Sequence, residues 1–136
     1  MIKLCIIGAG SSVFTKRIVT DLLLMDEFKF IDISLMDIDP ERLRVSKLIV
    51  GAVAREIGVS PSINTYDNYE EALKDSDFVI TSIQVGGFDP ATIIDFEIPK
   101  KYGLRQTIAD TLGMGGIMRG LRTIPILVEI GEKIME

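Results

Sequence analysis

The segment Lys3-Leu-Cys-Ile-Ile-Gly8-Ala-Gly10-Ser11-Ser12 constrains the fold of this chain more than any other. Its apolar run ends on glycine, which reads as a buried strand delivered into a tight turn. Over residues 12–25 the pattern becomes helical, with Val13, Ile18, Leu22 and Met25 near helical spacing and Ser11 or Ser12 as the N-cap. The alternation then repeats. Residues 31–36 read as a second strand, closed by Asp37-Ile-Asp39-Pro40, and the proline opens a helix reaching about Ile57. Ser62–Tyr66 reads as a third strand, Asn68 caps a brief helix over residues 69–74, and residues 77–81 form a fourth strand. Strands and helices alternating at these lengths predict an α/β fold, a doubly wound Rossmann-type parallel sheet with helices on both faces.

Residues 84–90 read as a loop with adjacent glycines, and residues 91–102 as a helix that Pro99 should end or kink. A glycine-dense stretch from Gln106 to Pro125 follows, carrying Asp110, Gly113, Gly115, Gly116, Arg119 and Arg122. It leads into a last helix from about Gly116, which Pro125 should kink or restart. Ile124, Ile126, Leu127, Ile130 and Ile134 make an apolar face there, with no closing cap. This predicts that residues 1–136 are the front part of a longer protein. It also predicts self-association of the uncovered face into a homo-oligomer.

The bulk composition removes several function classes. A net charge of -5 argues against a nucleic-acid partner. No apolar run is long enough to span a bilayer, and the N-terminus lacks the longer apolar region of a signal peptide, so no membrane partner is expected. The single cysteine excludes an internal disulfide and points to a reducing, cytoplasmic setting. The absence of histidine takes away the commonest general base and the commonest transition-metal ligand.

The candidate cofactor site follows from the first turn. Gly8 permits the turn, Gly10 lets backbone approach a pyrophosphate, and Ser11, Ser12 and Val13 open the helix whose N-terminus favours the phosphate charge. Val13 replaces the third glycine of the fingerprint, which predicts looser helix–strand packing at that point. Asp37 ends the second strand, where a carboxylate accepts hydrogen bonds from ribose hydroxyls and repels a 2′-phosphate, favouring NAD over NADP. Asp37 or Asp39 could instead cap the helix at Pro40, and the two roles can coexist. Arg42 is placed in the first turn of that helix, packing on the adenine side or pairing with an acid. Val85, Gly86 and Gly87 follow the fourth strand at the ligand-bearing edge of such folds, and suit a backbone passing under the cofactor.

Taken together, Gly8-Ala-Gly10-Ser11, Leu35-Met-Asp37-Ile-Asp39, Asp77-Phe-Val-Ile, Gln84-Val-Gly-Gly87, Lys101-Tyr-Gly103 and the loop from Asp110 to Pro125 resemble glycoside hydrolase family four, the NAD- and manganese-dependent glycosidases. The resemblance implies a redox-elimination mechanism outside the two-carboxylate scheme. NAD oxidises C3 of the sugar, a base removes the C2 proton, the glycosidic oxygen leaves, and NADH returns its hydride. It also implies a divalent metal, manganese, in the full-length protein only, because the family's cysteine and histidine ligands and its base lie beyond residue 136. Cys5, within the first strand, reads as a small buried hydrophobe instead. Asp110 matches an acidic position of the family, where it would assist departure of the glycosidic oxygen; an N-cap or a solvated carboxylate is the alternative. Arg119 and Arg122 could reach anionic groups or form salt bridges that lock the loop.

Members acting on 6-phosphorylated sugars carry an arginine near the position of Thr92. Thr92, with Asp95-Phe-Glu and Arg105-Gln-Thr-Ile-Ala-Asp110-Thr-Leu-Gly113, looks most like the α-galactosidase and α-galacturonidase branch. The implied substrate is an unphosphorylated sugar α-glycoside. Two other readings stand beside this one: the NAD domain of a lactate- or malate-type 2-hydroxyacid dehydrogenase, and a non-catalytic nucleotide-binding module.

Overall fold

The computed structural model describes residues 1–107 and 113–136. They form two compact units, Met1–Ser82 and Ile83–Glu136.

The first unit is a parallel sheet of four strands, β1 (Lys3–Ile7), β2 (Asp32–Met36), β3 (Ser62–Tyr66) and β4 (Phe78–Thr81), in the order β3-β2-β1-β4. The register sets Leu4 opposite Ile33 and Phe78, and Ile6 opposite Leu35 and Ile80. Helices α1 (Ser12–Leu23) and α2 (Pro40–Ile57) pack against each other, and α3 (Tyr69–Leu73) packs on β1, β2 and β3. Right-handed crossovers put the connections toward β2 and β3 on one face and the connection back to β4 on the other. This is the expected doubly wound sheet, and its order reverses between β1 and β4, which start the two halves of the topology.

Alternation along β1 and β2 divides the core. Leu4, Ile6, Ile33 and Leu35 join Val19, Leu23, Leu43, Val50 and Ala54 in one buried cluster. Cys5 and Ser34, opposite each other in register, belong to the other face. The buried stripe of α1 is Thr15, Val19 and Leu23, one step round the helix from the expected set. Val13 and Met25 are exposed, and the helix ends at Leu23 rather than Met25. The physical reason is a hydrogen bond from Thr15 Oγ1 to the Ala9 carbonyl, 2.9 Å, which turns a polar side chain inward and sets the rotation of the helix.

In the second unit, residues 84–90 are not wholly loop: a short helical turn, Gly87–Thr92, precedes α4 (Ile93–Lys101). Thr92 Oγ1 donates to the Gly87 carbonyl and accepts from Gln84 Nε2, which closes this turn. Pro99 lies inside α4 without ending it at once. It lacks the N–H that would bond the Asp95 carbonyl. That carbonyl instead faces α5 (Met114–Met135), where a Cβ on Gly115 would come within 2.5 Å of it. Helix α5 starts two residues before the expected Gly116 and continues through Pro125. Ile130, expected on an uncovered face, is buried at 2% exposure, whereas Ile117, Leu121, Ile124 and Val128 are exposed. No helix among the described residues is long and apolar enough to cross a membrane.

Candidate functional site

The turn from β1 to α1 is fixed by hydrogen bonds on every side. Gly8 adopts φ 86°, the left-handed conformation that glycine takes without strain. The amides of Gly8 and Ala9 both donate to the Met36 carbonyl at 2.9 Å, the last residue of β2. The Ala9 carbonyl accepts from two buried hydroxyls, Thr15 Oγ1 at 2.9 Å and Ser46 Oγ at 2.6 Å. Neither hydroxyl was legible as a site residue: a long-range bond to a backbone oxygen leaves no spacing signal in the sequence.

Asp37 closes the turn. One carboxylate oxygen accepts from the Gly10 amide at 2.7 Å and the other from the Asp39 amide at 2.9 Å. The two acids after β2 therefore have separate tasks. Asp39 is the N-cap of α2, accepting from the amides of Glu41 and Arg42, while Asp37 ties the glycine turn to the end of β2. Arg42 pairs with Asp39, its Nε 3.4 Å from a carboxylate oxygen. Each Asp37 oxygen keeps a lone pair for a further donor.

The need for glycine at position 10 has a source that the fingerprint does not suggest. A Cβ there would lie 2.6 Å from Asp37 Oδ2 and 2.9 Å from Arg42 Cβ. The side chain is excluded by the acid and the helix behind the turn, whatever lies in front. Val13 is corrected as well: its side chain is 65% exposed, so it does not loosen packing between helix and strand. Ser11 occupies the N-cap position of α1, but its side chain makes no capping hydrogen bond. Among the described residues nothing accepts from the amides of Val13 and Phe14. The start of α1 thus presents bare amides and the positive end of a helix dipole, an arrangement that suits an anion. Asp37 lies on the same strand ends and suits a hydroxyl donor. Beside it, bonded through Asp37 N–H to the Tyr66 carbonyl at 3.3 Å, a cleft of about 380 Å³ opens between α2 and the end of β3, lined by Pro40, Leu43, Lys47, Tyr66 and Asp67.

Most of the remaining candidates belong to the second unit. Gly86 and Gly87 both have positive φ, 85° and 68°, and Val85 precedes them half-buried. A Cβ on Gly86 would lie 2.6 Å from the Ala91 side chain. Arg122 grips Asp95 through both terminal nitrogens, at 2.9 and 2.6 Å, and Asp95 is only 5% exposed. The pair raises the Arg122 guanidinium further above its ordinary pKa, first through the hydrogen bonds. Arg122 is therefore a lock between α4 and α5. Arg119 lines a cavity of about 30 Å³ with Thr92, Phe96, Gln106 and Thr107. Asp110 lies outside the described residues. Cys5 is fully buried, and burial pushes its thiol up to about 11, which disfavours the thiolate a metal would need. Among the described residues no group of three potential ligands gathers for a metal ion.

The family model for family 4 glycosyl hydrolases matches residues 3–136. The chain belongs to glycosyl hydrolase family 4. It is 49% identical to an α-galactosidase of Bacillus subtilis (strain 168), over 100% of this chain and 32% of that protein. It is 38% identical to an α-galacturonidase of Thermoanaerobacter italicus, over 98% of this chain and 28% of the other. The chain thus spans about a third of the curated relatives it matches. Among solved structures it is similar to the 6-phospho-β-glucosidase of Thermotoga maritima with NAD and glucose-6-phosphate, at a TM-score of 0.86, 30% identity, 98% of this chain and 31% of that one. It is also similar to a 6-phospho-α-glucosidase from gut microorganisms in complex with NAD and glucose-6-phosphate, at 0.87, 33% identity, 99% and 30%. The family assignment favours the glycosidase reading over the dehydrogenase alternative.

Gly10→Ala is expected to destabilise the free protein by about 1–3 kcal/mol, the usual cost of forcing atoms into a filled space. Urea unfolding of the two proteins without ligand is the check; an unchanged midpoint would show that the acid and helix behind the turn yield freely.

Proposed function

We propose that this chain is the NAD-binding domain of an α-glycosidase that works by redox elimination. The observation that carries it is the joint geometry of the first turn: bare amides at the start of α1, with the Asp37 carboxylate fixed at the end of β2. The amides would hold the pyrophosphate, Asp37 the adenosine ribose hydroxyls, and the cleft beside Tyr66 has the size of a small-ligand site. Bound NAD would supply reversible oxidation of the sugar at C3. NAD in the solved family members supports the same ligand here. Manganese appears with NAD in a related 6-phospho-α-glucosidase, which supports a divalent metal in a protein that carries this domain together with the region that completes the relatives' length. Asp37 should select NAD over NADP, since a 2′-phosphate would meet a carboxylate. Titration calorimetry should give tighter NAD than NADP binding in the wild type. Asp37→Ala should lose about 1.5–3 kcal/mol of NAD affinity, the worth of a hydrogen bond to a charged acceptor. Equal affinities in the wild type would sink the role of Asp37.

The substrate reading is an unphosphorylated α-glycoside of the galactoside or galacturonide class. Similarity to α-galactosidases and α-galacturonidases supports it, and so does Thr92, whose neutral hydroxyl is already engaged by Gln84 and Gly87. Asp110 would assist the departing glycosidic oxygen. In a protein carrying this domain together with the region that completes the relatives' length, Asp110→Ala should cost about 10²–10⁴ in turnover of an alkyl glycoside. It should cost far less with a nitrophenyl glycoside, whose leaving group needs no proton. Equal losses would assign Asp110 to positioning.

Self-association of the isolated chain is part of the same proposal. The open stripe of α5 is Ile117, Leu121, Ile124 and Val128, spaced by four, three and four residues, a seam that suits the same helix of a second copy. Sedimentation should show concentration-dependent association that Leu121→Glu abolishes; a monomer at every concentration would refute it.

A further inference from the structure

We infer that Thr15 and Ser46 are positioning residues of the cofactor turn, an inference that rests on the nucleotide-binding reading above. Both are buried, at 0% and 1% exposure, so neither can touch a ligand. Both spend their hydroxyl on the same acceptor, the carbonyl of Ala9, at 2.9 and 2.6 Å. A carbonyl oxygen has two lone pairs, so this one is saturated.

The placement gives the pair its purpose. Thr15 comes from the first turn of α1, and Ser46 reaches in from α2. Ala9 is the middle residue of the turn, and the peptide plane that carries its carbonyl carries the Gly10 amide on the other side. Holding that oxygen from two helices stops the plane from rotating, and the Gly10 amide then points steadily at Asp37 Oδ2, 2.7 Å away. The direction in which α1 leaves the turn is set by the same bonds. Its open amides, Val13 and Phe14, are therefore aimed at one place before any ligand arrives. Preorganised donors lose less on binding than donors that must be ordered.

The consequence is specific to one part of the ligand. Thr15→Val and Ser46→Ala each remove one hydroxyl without adding bulk, and Thr15→Ser keeps the donor. Losing both hydroxyls should weaken binding of NAD and of ADP-ribose by about tenfold, the equivalent of one net hydrogen bond. Binding of adenosine, which has no pyrophosphate but carries the ribose that Asp37 would hold, should weaken clearly less, by no more than about threefold. Thr15→Ser should bind as the wild type does. Calorimetry with the three ligands is read beside thermal melting, so that loss of fold is separated from loss of aim. Unchanged NAD affinity in the double variant, or a loss equal for adenosine, overturns the inference. A second measurement is independent of ligand. In the free protein, amide exchange at Gly10 should be faster in Thr15→Val, Ser46→Ala and the double variant, with the β1 and β2 amides unaffected; unchanged exchange at Gly10 overturns the inference. If the wild type binds no NAD, the nucleotide reading fails, and the exchange measurement still decides whether the two hydroxyls hold the turn.

Discussion

The first unit depends on how one buried turn satisfies its backbone. Residues 8–10 leave a central strand with no ladder partner, and a buried peptide group without a partner is costly. The turn answers by borrowing from three elements: the Met36 carbonyl of β2, the Asp37 side chain just beyond it, and the Thr15 and Ser46 hydroxyls of α1 and α2. These bonds do more than remove a penalty. They set the exit of α1, and with it the stripe Thr15, Val19 and Leu23 that packs on the sheet. They also tie α2 to the turn, so the two helices that pack together share one anchor.

The order and type of the elements were legible because each depends on its own residues. Strand runs ended by glycine and Asp39 before Pro40 act within a few positions, and the helix from Pro40 to Ile57 came out as read. The rotation of α1 was not legible. Hydrophobic spacing alone favours Val13 and Met25, and it cannot anticipate that a threonine will turn inward to a carbonyl. The candidate site divides in the same way. Gly8, Gly10 and Asp37 were visible as a pattern, but the reason for Gly10 was visible only in three dimensions, as the crowding of Asp37 and Arg42 behind it.

The second unit shows a proline and a glycine acting as a pair. A proline inside a helix usually leaves a carbonyl unbonded four residues earlier. In α4 that carbonyl belongs to Asp95, and α5 approaches it at Gly115, where a Cβ would not fit. The same residue's side chain takes both terminal nitrogens of Arg122 on α5. Asp95 therefore meets the next helix through backbone and side chain at once. Burying a carboxylate costs free energy, and pairing of this kind offsets the cost. The glycine-dense character of this stretch thus has a packing cause at Gly115, beside any part it takes in ligand contact.

Asp37 shows why cofactor preference and stability are hard to change separately in this fold. On the nucleotide-binding reading, replacing the acid would remove its repulsion of a 2′-phosphate. The same replacement removes the acceptor for the Gly10 and Asp39 amides. Alanine leaves both N–H groups without that partner, and asparagine offers one acceptor where two are in use. The penalty arises in the protein before a cofactor binds, so it reads as lost stability, and as lost affinity for every nucleotide to the extent that binding must restore the turn. A change of preference that keeps the turn intact would leave Asp37 in place and alter the charge in front of it. The geometry thus gives Asp37 a task in the free protein, as the support of the turn, that the sequence motif alone does not show.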